Sequence, residues 1–154
     1  MDLVALGGCI DDVLSAALAA SLVLAVPHGW HMIRANPALK ASCDPVELMV
    51  VGSHQTQLGK DGWRAPGRGE VLVFVEEDHV NKPIGPLRRP RHFRVPWRHL
   101  KPLEGCCGTP GSRGWVKWFR ERGHFLGFLV FAGQDVPAAR RHATERMLDS
   151  LRLR

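Results

Sequence analysis

The sequence contains no tyrosine and no hydrophobic run long enough to cross a membrane. Its longest apolar run covers residues 13–26 and is interrupted by Ser15 and Ser21. These 14 residues fall short of the roughly 18–20 that a membrane-spanning helix needs. Because no lysine or arginine precedes Arg34, the basic region that opens a secretory signal is also missing. The sequence as it stands therefore predicts a cytoplasmic protein.

One short motif indicates a different compartment. Residues 6–9 (LGGC) resemble the cleavage box of a bacterial lipoprotein, in which the thiol of Cys9 would receive the lipid. Only eight residues precede this cysteine, and none of them is basic. An extracytoplasmic lipoprotein is therefore the alternative, and it requires a start codon upstream of Met1.

Cysteine and histidine spacings predict no metal or redox site. The four cysteines are Cys9, Cys43, Cys106 and Cys107, and none of them has the C-x2-C spacing of zinc ribbons or thioredoxin-like sites. A disulfide between the adjacent Cys106 and Cys107 would need a strained peptide, so free thiols are expected. The histidines show no H-x3-H pair with a third ligand nearby. We therefore predict no cofactor, no metal and no catalytic residue.

Positive charge is concentrated in one segment. The formal net charge is −5 over residues 1–81, +7 over 82–101 and +4 over 102–154, and residues 82–101 contain no acidic residue. Arginines in this segment could neutralise phosphates while the interleaved aromatic side chains stack on bases. The segment suits an acidic protein or anionic lipid headgroups equally well. An arginine-rich surface without any ligand is the simpler alternative.

The candidate binding residues come from this segment and from one tryptophan outside it. Trp63 and Trp97 lie in polar surroundings, which favours exposed aromatic contacts. Trp30, Trp115 and Trp118 lie in apolar strands and are expected in the core. The predicted binding residues are Arg88, Arg89, Arg91, Arg94, Trp97, Arg98 and Trp63.

Apolar runs separated by turn residues predict a protein made mainly of strands. We expect strands over residues 22–26, 30–33, 47–51, 70–76, 91–95, 115–119 and 125–131. The run at 71–75 is continuously apolar, which indicates a strand buried on both faces. The last two strands flank a charged tip that contains glycine, so they predict a hairpin.

The chain is expected to end in an amphipathic helix. Asp135 is the expected N-cap, with Pro137 in the first turn. The core face is predicted to carry Ala139, Ala143, Met147 and Leu151, with Val136 and Leu148 beside them, and the solvent face Arg140, Arg141, Glu145 and Arg146. We therefore predict an α+β fold, in which a central twisted antiparallel sheet of about five to seven strands is covered by an N-terminal and a C-terminal helix.

Four motifs, taken in order, resemble a known family. They are residues 27–30 (PHGW) after an early strand, the strand at 69–76, the hairpin tip at 119–124 (FRERGH) and the helix end at 147–152 (MLDSLR). This order resembles the small PsbP-like α/β/α sandwich domains common in actinobacteria, some of them lipoproteins. The resemblance implies one domain over residues 1–154, with a helical or extension segment at 1–20 and a PsbP-like core at 21–153. It also implies an adaptor or binding protein without a shared catalytic apparatus.

A non-catalytic binding or accessory module with a protein partner is therefore the function we expect first. A nucleic-acid-binding protein that uses residues 82–101 is the alternative, and a small hydrolase is the third hypothesis. A hydrolase could use the acidic cluster at residues 76–78, Cys106 or Cys107, or His99. Consecutive strand residues point to opposite faces, so we expect residues 76–78 to be a solvated strand end.

Overall fold

The computed structural model describes residues 22–34, 46–54, 58–59, 62–78, 87–103 and 113–154. The strands in these ranges are β1 (Leu22–Val23), β2 (His31–Arg34), β3 (Val46–Gly52), β4 (Leu58–Gly59), β5 (Gly62–Trp63), β6 (Val71–Glu77), β7 (Lys101–Pro102), β8 (Arg113–Glu121), β9 (His124–Ala132) and β10 (Arg152–Leu153), and the helix is α1 (Ala138–Asp149). No helix within the described ranges is long and apolar enough to span a membrane.

Six strands form one antiparallel sheet in the order β2-β3-β6-β9-β8-β7. The first three of these strands and the last three each form a meander. The two meanders meet where β6 pairs with β9, for example with Val73 opposite Val130. Two short pairs, β1 with β10 and β4 with β5, lie outside this sheet. Strand β6 ends at Glu77 and β7 begins at Lys101. We refer to residues 87–100, which lie between these two strands, as the connection.

A two-residue turn joins β8 to β9. Arg122 and Gly123 form it with φ angles of 46° and 86°, and Glu121 pairs with His124 on either side. Two positive φ angles are what a type I′ turn requires, and the twist of this turn matches that of the flanking strands. The predicted hairpin is confirmed. The doubly buried strand is confirmed as well, because every residue of β6 is buried.

The larger core lies on the face of the sheet that carries Val73 and Phe128. Met147 and Leu148 of α1 belong to the same buried cluster, so the helix packs on this face. Phe93 of the connection packs there too, with its ring centroid 4.9 Å from that of Phe128. Because side chains alternate along a strand, the same strands supply a smaller buried cluster on the opposite face. That cluster consists of Val50, Leu72, Phe74 and Phe131.

The start of α1 differs from the prediction. The helix begins at Ala138 after Pro137, and no side chain caps it. Asp135 lies in the preceding turn with a φ of 54°, and its carboxylate pairs with Arg68 at 2.7 Å. The predicted Asp135 N-cap was therefore wrong. An exposed ion pair with a neighbouring loop takes the place of the capping bond.

The buried face of α1 also differs in part. Met147, Leu148 and Leu151 are buried as predicted, but Ala139 is exposed. Glu145 was predicted on the solvent face and is buried instead. The physical reason is that the connection lies along this side of the helix and covers it.

The α+β class and the antiparallel sheet are confirmed by the six strands and α1. The predicted N-terminal helix over residues 1–20 lies outside the described residues. The early strand is shorter than predicted, because β1 ends at Val23. Residues 91–95 do not form the predicted strand, yet Phe93 and Val95 are buried between exposed neighbours. Buried and exposed side chains therefore alternate here as they do along a strand, although residues 91–95 pair with no strand in the described part of the chain.

Candidate binding cleft

The connection is held against α1 by carboxylates. The N–H of Phe93 donates to Oδ1 of Asp149 at 2.7 Å, and the N–H of Val95 donates to Oε1 of Glu145 at 3.0 Å. Residues four positions apart on a helix, such as Glu145 and Asp149, are separated by about 6 Å along the axis, and alternate residues of an extended chain by about 6.6 Å. Because the two repeats match, two carboxylates on one helix face replace the bonds that a neighbouring strand would supply.

Arg89 fastens the start of the connection to the end of α1. Its guanidinium donates to the carbonyl oxygens of Leu151 at 2.9 Å and Asp149 at 3.0 Å, groups of the kind that a helix end leaves without partners. Its Nη1 also lies 3.3 Å from Oε2 of Glu121, and its Cζ lies 5.8 Å from the ring centroid of Phe93. The Arg89 side chain is only 19% exposed. Because its guanidinium is bound to these groups within the protein, Arg89 has a structural role.

The other arginines of the connection are exposed. Arg94 is 73% exposed and places Nη1 3.1 Å from Oε2 of Glu145. Arg88, Arg91 and Arg98 are exposed and form no ion pair within the described part of the chain. Uncompensated positive charge therefore remains at these three positions.

A cleft of about 520 Å³ opens at the end of the connection. Separate parts of the chain meet around it: the loop before β6, the end of the connection, the start of β8, the loop between β9 and α1, and α1 itself. The lining residues are 65–68, Trp97, Arg98, Leu100, Arg113, 132–136 and Arg141.

Two loops in close contact build one wall of the cleft. The N–H of Gly69 donates to the carbonyl oxygen of Gln134 at 2.6 Å, and the N–H of Gly133 donates to that of Glu70 at 3.0 Å. Gly133 leaves no room for a side chain, because a Cβ there would lie 1.7 Å from the carbonyl oxygen of Gly67. The Glu70 carboxylate accepts the N–H of Gly67 at 2.6 Å. The shape of this wall therefore depends on one glycine and one glutamate.

Glu70 is held in its charged form by its neighbours. Burial alone would raise the pKa of the Glu70 carboxyl, but the Gly67 N–H, His54 and Arg64 together outweigh burial and lower this pKa from its ordinary value. His54 lies with Nδ1 3.4 Å from Oε2 of Glu70, and its side chain is 9% exposed. Burial lowers the pKa of His54 despite the opposing effect of Glu70. At neutral pH a neutral histidine therefore lies beside a charged glutamate.

The charge around the cleft is positive. Four arginines and one aspartate are among the lining residues, a formal excess of three positive charges. Nε of Arg141 donates to the carbonyl oxygen of Val136 at 2.8 Å, and Nε of Arg113 donates to that of Leu100 at 3.1 Å. A bond at Nε fixes the plane of a guanidinium and leaves its terminal amino groups available to a ligand. The cleft therefore contains two oriented donors for an oxyanion.

Trp97 contributes an aromatic surface to the cleft. Its Nε1–H donates to Oε1 of Glu145 at 3.2 Å, and the same oxygen accepts the N–H of Val95. The side chain packs against the larger core, so Trp97 is half-buried rather than fully exposed. It borders the cleft as a fixed wall.

The predicted binding residues divide into four groups. Trp97 and Arg98 line the cleft. Arg88, Arg91 and Arg94 are exposed elsewhere on the connection, while Arg89 is engaged inside the fold as described above. Trp63 belongs to β5, and its side chain lies outside the described residues.

Three cleft arginines do not stand out in the sequence. Arg113 and Arg141 come from segments with mixed charge, and only the fold brings them next to the connection. Arg68 lies between Gly67 and Gly69, and a cation flanked by two glycines in a turn is the one local signal that could have identified a member of this set.

The acidic cluster at the end of β6 is not the solvated strand end that we predicted. Glu76 and Glu77 are each 3% exposed, and Oε1 of Glu77 lies 2.8 Å from Nδ1 of His124. The two glutamates lie on opposite faces of the sheet, as alternation along a strand requires. Because they point to opposite faces, these two carboxylates do not form a joint acidic site.

The described residues considered for hydrolysis are not brought together at the cleft. Neither residues 76–78 nor His99 line the cleft. No group of three or more side chains that could hold a metal ion occurs in the described part of the chain. Cys106 and Cys107 lie outside the described residues.

Comparisons with known protein families, with curated proteins and with solved structures found no match to this chain. The geometry and charge of the cleft therefore give the evidence on its function.

Proposed function

We propose that this protein is a non-catalytic binding module that takes an acidic segment of a protein partner into the cleft beside Trp97. The surplus of arginine carries the proposal: Arg68, Arg98, Arg113 and Arg141 line the cleft, against one aspartate among the lining residues. A cleft lined mainly by one sign of charge focuses the electrostatic field and attracts ligands of the opposite sign. An acidic segment is the partner that this charge complements.

The anchoring of two guanidiniums supports carboxylates as the groups that are bound. Arg113 and Arg141 are held at Nε by carbonyl oxygens of the chain itself, so less side-chain entropy is lost when a partner binds. Guanidinium and carboxylate form charge-assisted, planar hydrogen bonds. A run of acidic side chains can also reach arginines that come from separate segments, which a single small anion cannot.

The proposal is tested with a fluorescein-labelled hexaglutamate peptide, whose anisotropy is followed as protein is added at low salt. The wild-type protein is expected to bind. The Arg113→Gln/Arg141→Gln double variant is expected to bind at least about tenfold more weakly, since each hydrogen bond to a charged group contributes about 1.5–3 kcal/mol.

The Arg88→Gln/Arg91→Gln double variant is the matched control, because it removes the same two positive charges from an exposed part of the connection outside the cleft. Circular dichroism melting verifies that each variant is folded. Absence of binding by the wild type, or an equal loss in Arg88→Gln/Arg91→Gln, contradicts the proposal.

A nucleic-acid-binding protein is the second candidate. The exposed and unpaired guanidiniums of Arg88, Arg91 and Arg98 favour it, and Arg94 lies between them. The test is binding of a random-sequence single-stranded oligonucleotide at two salt concentrations. If these arginines contact phosphates, Arg88→Glu/Arg91→Glu weakens binding and lowers the salt dependence by roughly one unit of slope per lost contact. No binding at low salt removes this candidate.

We also propose that the fold is of the PsbP-like α/β/α type, with a second helix over residues 1–20. The six-stranded antiparallel sheet with a C-terminal helix on one face supports this proposal. An experimental structure without a helix over residues 1–20 would contradict it.

A further inference from the structure

The carboxylate of Glu145 accepts hydrogen bonds from three residues of the connection. Its Oε1 accepts the N–H of Val95 at 3.0 Å and the Nε1–H of Trp97 at 3.2 Å, and Nη1 of Arg94 lies 3.1 Å from its Oε2. The side chain of Glu145 is only 11% exposed. A buried carboxylate on a rigid helix therefore determines the position of one wall of the cleft.

We infer that Glu145 is a positioning residue that holds the Trp97 indole as an apolar wall, so that the cleft selects acidic segments that carry an aromatic side chain. This inference rests on the proposed function and names the chemistry of its partner. It adds a selective element to a site whose arginines alone would accept any acidic run.

The indole is suited to this role because its polar hydrogen is already bound. Nε1 is the one hydrogen-bond donor of a tryptophan side chain, and in Trp97 it faces Glu145. The rest of the ring is apolar, and Pro66, Leu100 and Val136 add further apolar surface among the lining residues. An aromatic side chain of the partner would pack on this surface while its neighbouring carboxylates reach Arg113 and Arg141.

The size of the expected preference follows from aromatic pairing. Such pairs contribute about 0.5–1.5 kcal/mol beyond the burial of their area, which corresponds to roughly two- to twelvefold in Kd. The effect is smaller than that of the arginines, so a substitution at Glu145 should alter selectivity more than overall binding of acidic peptides.

The test compares two labelled heptapeptides, each with three glutamates on both sides of a central phenylalanine or a central alanine. The ratio of the two Kd values is the readout. Wild-type protein is expected to prefer phenylalanine by roughly two- to twelvefold. The preference is expected to fall to about one in Trp97→Ala and to decrease strongly in Glu145→Ala, while the alanine peptide binds all three proteins within about twofold.

Two variants separate positioning from a general structural effect. Glu145→Gln keeps an oxygen that can accept from Trp97, so most of the preference should be restored relative to Glu145→Ala. Arg94→Gln removes the partner of the other carboxylate oxygen and should leave the preference unchanged. If Glu145→Ala does not fold, Trp97→Phe tests the same bond from its other side, because it removes the donor and keeps a ring, and the preference is again expected to fall.

The outcomes distinguish this inference from the proposed function. Equal binding of both peptides to the wild type, with loss of binding in Arg113→Gln/Arg141→Gln, overturns the inference and leaves the proposed function in place. A preference that survives in both Glu145→Ala and Trp97→Phe overturns the positioning role. Binding of neither peptide overturns both proposals.

Discussion

The backbone N–H of Phe93 donates a hydrogen bond to Oδ1 of Asp149 at 2.7 Å, although the two residues are 56 positions apart in the sequence. Oδ2 of the same carboxylate lies 3.0 Å from Nδ1 of His92. The ring of Phe93 packs against Phe119 and Phe128. One aspartate at the end of α1 thus fixes the path of the connection over the core.

Removal of this carboxylate should destabilise the protein. Asp149→Ala is expected to lower the free energy of unfolding by about 2 kcal/mol, because the partly buried N–H of Phe93 loses its acceptor. A carboxylate near a helix C-terminus is unfavourable by about 0.3–1 kcal/mol, so the sign of the change shows which effect is larger. Urea denaturation measures it.

The control for this prediction is Arg68→Gln. It breaks an ion pair with Asp135 whose partners are 81% and 65% exposed, and exposed pairs contribute at most about 1 kcal/mol. A stabilised Asp149→Ala protein, or a loss no larger than that of Arg68→Gln, would show that the Asp149 carboxylate does not hold the connection in place.

Two arginines of the connection should respond differently to the same substitution. Arg89→Gln is expected to cost about 2–3 kcal/mol of unfolding free energy, because carbonyl oxygens of Asp149 and Leu151 lose a charged donor. Arg91→Gln is expected to change stability by less than about 0.5 kcal/mol, as an exposed surface substitution does. Thermal unfolding of both variants is the measurement, and equal shifts in Tm would refute the structural role of Arg89.

Gly133 should tolerate no side chain. Gly133→Ala is expected to cost about 3 kcal/mol, since the new Cβ would overlap the carbonyl oxygen of Gly67 and force the two loops apart. Gly29→Ala is the control for backbone conformation alone, because Gly29 has a φ of 80° with nothing within 4 Å of an added Cβ. It should cost only about 1–2 kcal/mol. A smaller loss in Gly133→Ala than in Gly29→Ala would contradict the packing described here.

Acidification should destabilise the protein in two steps. Burial lowers the pKa of His54 from 6.5 in the folded state, so the unfolded chain binds a proton first and stability falls as the pH drops below 6.5. Burial opposes the lowering of the Glu70 pKa, but the Gly67 N–H and the neighbouring positive groups prevail. Glu70 therefore contributes stability above its unfolded pKa of 4.5 that is lost as the pH falls through its lower folded value.

Substitutions separate the two steps. His54→Gln should remove the change in stability just below pH 6.5 and keep the one at lower pH. Glu70→Gln should remove the step at lower pH and lower the pKa of His54 further, because the charge of Glu70 raises that pKa. The measurement is the urea midpoint as a function of pH, and an unchanged profile in both variants would rule out this account.

The sequence predicts the elements whose burial is set by their own periodicity. The apolar run of β6 and the two runs that flank Arg122 and Gly123 form strands in the expected places, because local alternation and turn chemistry determine them. The buried positions Met147 and Leu148 follow in the same way from helical periodicity.

The remaining features depend on contacts between distant segments. Glu145 lies on the polar side of α1 by periodicity, and it is buried because Val95, which is 50 positions away, donates to it. Arg89 has no acidic neighbour in sequence, yet the fold supplies Glu121. The cleft arginines come from separate segments for the same reason. A run of like charges therefore does not show which of its members face solvent.

The most direct test of the binding cleft is a heteronuclear NMR titration of the ¹⁵N-labelled protein with the hexaglutamate peptide. If the acidic peptide binds in the cleft, saturable shifts are expected for the Trp97 indole N–H, which Trp97→Phe assigns, and for the backbone amides of Gly67 and Gly133. Shifts centred on Arg88 and Arg91 with an unmoved Trp97 indole, or no shifts at all, would contradict binding in the cleft.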